Sequence, residues 1–113
     1  MTQMIPPTLR ERNRYIAFEL VCDSAVGRGE VVKAVWTALL RFLGELGASK
    51  TSLWVMDWDE QRKRGILKVN HLSVDEVRAA LTVMKELNGK PLVFRTLGVS
   101  GSVKKTKEKF LAL

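Results

Sequence analysis

Residues 14–22 read RYIAFELVC and alternate between two sets of side chains. One set is apolar and consists of Ile16, Phe18, Leu20 and Cys22. The other set is mixed and consists of Tyr15, Ala17, Glu19 and Val21. Because successive strand residues point to opposite faces of a sheet, this pattern of aromatic and branched residues predicts a β-strand with its apolar set toward the core.

A long apolar helix pattern follows the loop at residues 23–29. It extends from Glu30 to Leu46 and repeats at helical spacing through Val32, Val35, Leu39, Phe42 and Leu46. Further apolar residues widen the arc beyond one stripe: Val31, Trp36, Leu40 and Leu43. Such a helix needs cover on more than one side, either from deeper core burial or from a protein interface that holds Trp36 or Leu40. Gly47 is predicted to end it.

Two strands and a second helix come next. Thr51–Asp59 is predicted to be a strand in which Leu53, Val55 and Asp57 oppose Trp54, Met56 and Trp58. A short charged turn joins it to a third strand, Gly65–Asn70, so the pair forms a hairpin. Ser73–Leu87 has a capping-box start and a helical apolar stripe. Asn88-Gly89 ends this helix, and Lys90–Val99 is the fourth strand.

The resulting order is β-α-β-β-α-β followed by a C-terminal helix at about residues 100–113. This order predicts an α+β sandwich of the ferredoxin-like, RNA-recognition-motif-like (RRM-like) kind, with two helices on one face of a four-stranded antiparallel sheet. Residues 1–13 form a separate proline- and arginine-containing arm, and residues 14–113 form a single domain.

The charge balance points to an anionic partner. The 113 residues carry a net charge of +7 with a pI of about 9.9, which favours nucleic acid first and a membrane surface second. The single cysteine, Cys22, excludes an internal disulfide and fits a reducing compartment. No apolar run is long enough to span a membrane and no signal peptide is recognisable, so we expect a cytoplasmic protein.

The most basic stretch is LVFRTLGVSGSVKKTKEKF, residues 92–110. From Arg95 to Lys109 it has five bases and one acid. Gly98 and Gly101 are predicted to take positive φ and allow close backbone approach, while Ser100 or Ser102 caps the helix that follows. Free N–H groups beside lysines favour phosphate. The alternative is an ordinary turn followed by a solvated helix.

Catalytic and metal-binding patterns are missing from the sequence. His71 is the only histidine and has no nucleophile pattern around it. Asp57, Asp59 and Glu60 could bind a metal, but the bases that follow favour a solvated charged turn. The third strand lacks the aromatic residues of an RNA-recognition motif, so we expect phosphate contacts rather than base stacking on the sheet.

Two blocks together resemble one known family. They are PPTLRERNRYIAF at residues 6–18 and LGVSGSVKK at residues 97–105, with further matches at Trp36, LGELG at residues 43–47 and Gly65-Ile66. The sequence is similar to the ribonuclease P protein component 2 family, the archaeal-type relatives of a eukaryotic subunit shared by ribonucleases P and MRP. The middle of the chain, around the Trp54–Trp58 strand and the second helix, fits this family loosely.

The resemblance implies a non-catalytic subunit of the ribonucleoprotein that removes the 5′ leader of precursor tRNA. In that family the catalyst is the RNA, which uses divalent metal ions such as Mg²⁺, and the protein itself binds no cofactor. The implied partners are the catalytic domain of the RNA, component 3 and a second copy of the chain in a two-plus-two assembly. The fold implied by the family is the α/β sandwich predicted above.

The sequence predicts an RNA-binding surface and a protein interface, and it leaves other classes of protein open. The expected RNA contacts are Arg10, Arg12, Arg14, Arg95, Ser100, Ser102, Lys104, Lys105 and Lys107. The expected protein interface holds Trp36 and Leu40. The alternative is a ferredoxin-like ligand-binding or regulatory module that dimerises through its sheet. A stand-alone nuclease is disfavoured because acid and base residues are not paired in the sequence.

Overall fold

The structure is a computed structural model that describes residues 12–111. Its main sheet has four strands: β1 (Asn13–Val21), β2 (Trp54–Asp59), β3 (Arg64–Asn70) and β6 (Val93–Ser100). The strands are all antiparallel, in the spatial order β2-β3-β1-β6. Two long helices, α1 (Arg28–Ser49) and α2 (Val74–Val83), connect them. The predicted ferredoxin-like α+β fold is confirmed.

The core lies between one face of the sheet and the two long helices. Ile16, Phe18 and Leu20 of β1 are buried, as the alternation predicts. They form one cluster with apolar residues of α1 and α2, among them Val35 and Leu81. Because each strand buries alternate residues there, the other side chains are left on a second face of the sheet.

A β-bulge in β2 overturns the expected pattern of its aromatic residues. The register with β3 shifts between Val55 and Asp57, so Met56 is the extra residue. Trp58 therefore faces the core instead of sharing a face with Trp54. Its ring stacks on Phe18 with centroids 5.8 Å apart and an interplanar angle of 15°. Its indole N–H donates to the Val26 carbonyl at 2.9 Å.

A glycine makes room for this aromatic pair. Gly65 lies opposite both Phe18 and Trp58 in the sheet. A Cβ at Gly65 would lie 2.6 Å from the Asp57 carbonyl oxygen and 2.8 Å from the Phe18 ring. Only glycine fits this position, because the backbone and the buried ring both lie too close for any side chain.

The helix ends differ from the sequence prediction. α1 starts at Arg28 and reaches Ser49, with a break at Gly44, where φ is 73° and ψ is 173°. Gly47 therefore does not end the helix. A 3₁₀ turn, His71–Ser73, precedes α2, and the Asn70 side chain caps it by accepting from the Leu72 N–H at 2.9 Å. Ser73 makes no side-chain cap, so the predicted capping box is wrong.

The second helix is shorter than predicted because a small hairpin replaces its last turn. α2 ends at Val83, and β4 (Glu86–Leu87) pairs with β5 (Lys90–Pro91). Asn88 and Gly89 form the turn with φ of 52° and 79°. Positive φ at both central residues is the turn that Asn-Gly favours between paired strands, not at a helix end. The fourth long strand accordingly begins at Val93.

The C-terminal helix packs on the second face of the sheet. α3 (Val103–Thr106) continues as a π-helical segment, Lys107–Leu111, and together they contact β6, β1 and β3. Ala17, Ile66 and Thr106 are completely buried beneath or within this segment. The predicted C-terminal helix is thus present over residues 103–111. Among the described residues, no helix is both long and apolar enough to cross a membrane.

Candidate nucleic-acid interface

The strand register arranges the second face of the sheet in three rows. The row at one end consists of Trp54, Lys68, Tyr15 and Ser100. The middle row, next to the C-terminal helix, consists of Asp57, Ile66, Ala17 and Gly98. The row at the other end consists of Asp59, Arg64, Glu19 and Arg95. Partners in a register share a face, so each row is a set of neighbouring side chains.

Two serines build the turn between β6 and α3. The Ser100 hydroxyl accepts from the Ser102 N–H at 3.2 Å. The Ser102 hydroxyl accepts from the Lys105 N–H at 3.4 Å, so Ser102 is the N-cap of α3. The Thr106 hydroxyl donates back to the Ser102 carbonyl at 2.7 Å. These bonds fix the direction in which α3 leaves the sheet and hence where its lysines lie.

The glycines of this turn differ from the prediction. Within residues 12–111, the glycines with positive φ are Gly44 and Gly89, so the positive φ predicted for Gly98 and Gly101 is wrong. Gly98 instead pairs with Ala17 as an ordinary residue of β6. A Cβ at Gly101 would find Arg14 Nη1 at 4.0 Å as its nearest neighbour. Gly101 is exposed, and the space beside it lies next to a cation.

Four of the predicted cationic contacts lie at the end of the sheet where Tyr15 pairs with Ser100 and the turn to α3 begins. Arg14 is at the start of β1, and its Nη1 donates to the Asn13 carbonyl at 2.9 Å. Arg12 is exposed, and its carbonyl accepts from the His71 N–H at 2.8 Å. Lys104 and Lys105 are exposed in α3, and neither has an ion pair with a described acid. We call Arg12, Arg14, Lys104 and Lys105, with the turn, the cationic corner.

The other predicted cations are not part of this corner. Arg95 lies in the row at the opposite end, where its Nη2 is 3.0 Å from Glu19 Oε1. Arg64 Nε is 3.0 Å from the other oxygen of Glu19, so one carboxylate holds both guanidinium groups. Lys107 Nζ is 3.5 Å from Asp57 Oδ2. Arg10 lies outside the described residues.

An open groove runs along the cationic corner. Its volume is about 330 Å³, and it is lined by Val99, Ser100, Lys105, Glu108 and Lys109. Two lysines, one hydroxyl and one carboxylate give it a positive balance. Such a groove suits a phosphate chain, which Lys binds as a point charge. The sequence identified Ser100 and Lys105 as RNA contacts but did not place Val99 or Lys109 beside them.

The apolar residues of α1 fall into two groups: some are buried in the core, and others are exposed and available to a protein interface. Trp36 is partly buried and packs against the core. Leu40 is 48% exposed, and Phe42 and Leu46 are 46% and 72% exposed. The sequence pattern assigned Phe42 and Leu46 to the regular stripe of the helix, but the second half of α1 leaves both exposed. Leu40, Phe42 and Leu46 are thus exposed apolar residues of α1 in the part of the chain that the structure describes.

The charged turn between β2 and β3 has a structural role. The Asp59 carboxylate accepts from the N–H groups of Gln61 and Arg62 at 3.0 and 3.2 Å. An aspartate that bonds the backbone ahead of it is a common device of tight turns. Asp57 is directed to Lys107 instead. In the part of the chain that the structure describes, no three His, Cys, Asp or Glu residues are grouped to hold a metal ion.

Fold and surface together define an RRM-like α+β domain whose sheet ends in a cationic corner. The family model described as the Rpp14/Pop5 family matches residues 14–111. "Ribonuclease P protein component 2" of Thermococcus gammatolerans is 49% identical over 96% of this chain and 90% of that relative. The protein of the same name from Methanocaldococcus jannaschii is 41% identical over 100% and 83%. The chain belongs to the Rpp14/Pop5 family.

A solved structure supports the fold independently. A chain in a cryo-EM structure of yeast ribonuclease MRP superposes with a TM-score of 0.67. The match covers 86% of this chain and 79% of that chain, at 21% sequence identity. At this identity the similarity concerns the fold. It agrees with the resemblance noted from the two sequence blocks and with the strand order described above.

Proposed function

We propose that this chain is a non-catalytic, RNA-binding protein subunit of ribonuclease P that supports the catalytic RNA in removing the 5′ leader from precursor tRNA. The observation that carries the proposal is the cationic corner, in a chain whose family and curated relatives point to ribonuclease P. Arg12 and Arg14 come from one end of the described chain, and Lys104 and Lys105 follow the turn at its other end. The strand register brings Arg14 and Gly101 of that turn together at one end of the sheet.

The chemistry of the corner is that of phosphate binding. Lysine and arginine donate charged hydrogen bonds to phosphate oxygens, and serine hydroxyls donate to them as well. Such contacts position a protein on RNA without reading its sequence. We therefore assign positioning to this chain and assign bond cleavage, with the Mg²⁺ it needs, to the RNA subunit. In this proposal the chain binds no cofactor of its own.

The proposed RNA contacts differ in accessibility. Lys104, Lys105, Arg12 and Arg14 engage phosphates directly, and Ser100 and Ser102 add hydroxyls at the turn. Arg95 and Lys107 are already ion-paired to Glu19 and Asp57, so they contribute charge only when RNA competes for them. Arg10 continues the arginine series toward the N-terminus, with RNA as its proposed partner.

The exposed apolar residues of α1 are the proposed protein interface. Leu40, Phe42 and Leu46 lie on the helical layer, on the opposite side of the sheet from the C-terminal helix. We propose component 3 as the partner that covers exposed apolar residues of α1, Leu40 among them, and a second copy of the chain as a further neighbour in a two-plus-two assembly. Precursor tRNA is then the substrate of the whole particle, in the cytoplasm.

The alternative of a ligand-binding module that dimerises through its sheet receives no support from the packing. Dimerisation by packing two sheets face to face needs a free second face. Here α3 and the π-helical segment occupy the middle of that face and bury Ala17 and Ile66. A titration separates the two functions, because RNA affinity falls steeply with salt when phosphates are neutralised by lysine and arginine, whereas binding of a neutral ligand does not.

The deciding experiment is a titration of the full chain with the cellular RNA that co-purifies with it, over a salt series. The variant Lys104→Ala/Lys105→Ala should weaken binding for all RNA sequences. It should also flatten the slope of log affinity against log salt concentration by roughly 0.7–0.9 per lost phosphate contact. Lys33→Ala/Lys85→Ala is the control, since it removes two exposed charges away from the corner. Equal effects of both variants, or no binding by the wild type, would refute the proposal.

A further inference from the structure

Trp54 is a large aromatic residue left on the surface. It is 63% exposed at the first position of β2, which is an edge strand of the sheet. Its neighbours in sequence, Leu53 and Val55, are buried on the core side. Alternation therefore directs Trp54 to the second face of the sheet. Trp36 and Trp58, by contrast, both pack against the core.

The strand register places a cation beside Trp54 and a second ring one strand beyond that cation. Lys68 of β3 is its register partner, and Tyr15 of β1 is the partner of Lys68 on the other side. Both are partly exposed. Ser100 completes the row at the edge of the cationic corner. Three strand spacings separate Trp54 from Ser100, or ~14 Å.

We propose that Trp54 is a stacking site for an unpaired RNA base, with Lys68 beside it to contact the phosphate chain. Single-stranded RNA is recognised by stacking its bases on exposed aromatic side chains while lysine and arginine follow the backbone. The row supplies both elements, and it leads directly into the cationic corner. An RNA strand held there by Lys104 and Lys105 thus has a path across the sheet end to Trp54.

The inference rests on the proposed function and adds the form of RNA that this end of the sheet takes. Charge favours RNA over a protein at this position, because the nearby Lys68, Arg14 and Lys105 complement a polyanion. The RRM comparison missed Trp54, because it concerned the stacking positions of the third strand, where this chain has no aromatic residue. The signal available in the sequence was a tryptophan directly between two buried positions.

The test uses the full chain with a short unstructured single-stranded RNA and a duplex RNA of the same sequence. Trp54→Ala should weaken single-strand binding by roughly tenfold, and duplex binding should stay unchanged. Trp54→Phe should retain most of the affinity, because a ring remains. In both Trp54 variants the dependence of RNA affinity on salt concentration should be unchanged, since replacing the ring removes no phosphate contact. Leu72→Ala, at a residue that is 77% exposed and outside the row, is the matched control.

Fluorescence gives a second readout. Wild-type tryptophan emission should be quenched on binding the single strand, and Trp54→Phe should lose that change because Trp36 and Trp58 remain in the core. Loss of affinity in Lys104→Ala/Lys105→Ala together with wild-type binding by Trp54→Ala would overturn the stacking site alone. Absence of any RNA binding by the wild type would overturn both proposals. Loss of a co-purifying protein with unchanged RNA binding would instead assign Trp54 to a protein interface.

Discussion

Lys107 Nζ lies 3.5 Å from Asp57 Oδ2, so the C-terminal helix is linked by charge to the outermost strand of the sheet. To make this contact the C-terminal helix passes over the second face of the sheet, where Ala17 of β1 and Ile66 of β3 are buried. It also ties a proposed RNA contact to an acid of the same chain. RNA and Asp57 therefore compete for Lys107, and this competition can be measured.

Asp57→Asn should raise RNA affinity. It should steepen the salt dependence of that affinity by no more than the contribution of one phosphate contact. The reason is that Lys107 loses its internal partner and gains a phosphate. Stability should change by less than ~1 kcal/mol, because a pair as exposed as this one contributes little. Glu86→Gln is the control, since it removes the acid of the Arg41–Glu86 pair with the same change in net charge. An equal gain in both variants would attribute the effect to net charge alone.

Gly101→Val should leave the melting temperature unchanged and reduce RNA affinity. The backbone there does not have positive φ, and a new Cβ would find its nearest neighbour, Arg14 Nη1, at 4.0 Å. The added side chain then fills the space beside Arg14 that we assign to RNA. Gly29→Val is the control. Gly29 lies in α1, on the other side of the sheet, and a Cβ there meets nothing within 4 Å. Normal RNA binding by Gly101→Val would remove the turn from the proposed interface.

Leu40→Glu should weaken assembly with component 3 without unfolding the chain. Leu40 is 48% exposed, so a charge is tolerated in the isolated protein but costs free energy inside an apolar interface. Co-purification and light scattering measure the complex. Val93→Glu, at a residue 43% exposed on the second face of the sheet, is the control. We choose Leu40 over Trp36, because truncating Trp36 would also disturb the core that it contacts.

Gly65→Ala should destabilise the fold by about 1–3 kcal/mol, since the new methyl group would overlap the Asp57 carbonyl and the Phe18 ring. Urea unfolding of this variant beside Gly101→Ala measures the difference. The second variant adds the same methyl group at an open position and should unfold as the wild type does. If the two midpoints coincide, Gly65 is not needed for the Phe18–Trp58 stack.

The purified chain, free of RNA, should cut no precursor tRNA. Cleavage of a phosphodiester by the protein would need a paired acid and base, and we assign that step to the RNA subunit. The measurement is leader release from labelled precursor tRNA in the presence of Mg²⁺, before and after nuclease treatment of the preparation. Release of the leader that survives removal of all copurifying RNA would contradict the proposed division of labour.

Local sequence determined the elements of the fold. The alternation at residues 14–22, the long apolar repeat of α1 and the hairpin signal between β2 and β3 each depend on neighbours along the chain. Such periodicities report which face of an element is buried whatever the rest of the protein does. The order of elements then selects the ferredoxin-like sheet. The basic turn was equally visible, because lysines and glycines cluster within one short stretch.

Tertiary structure alone decided which of these residues share a surface. The bulge at Met56 moves Trp58 to the core face while Trp54 stays on the second face, and it is defined only by the register of β2 against β3. Glu19 pairs with both Arg64 and Arg95, residues far apart in sequence that the sheet brings into one row. Periodicity is local, whereas register and ion pairing depend on contacts between distant segments. The sequence therefore specified the cations, and the packing of the sheet decided that Arg14 meets Gly101 while Arg95 lies at the other end.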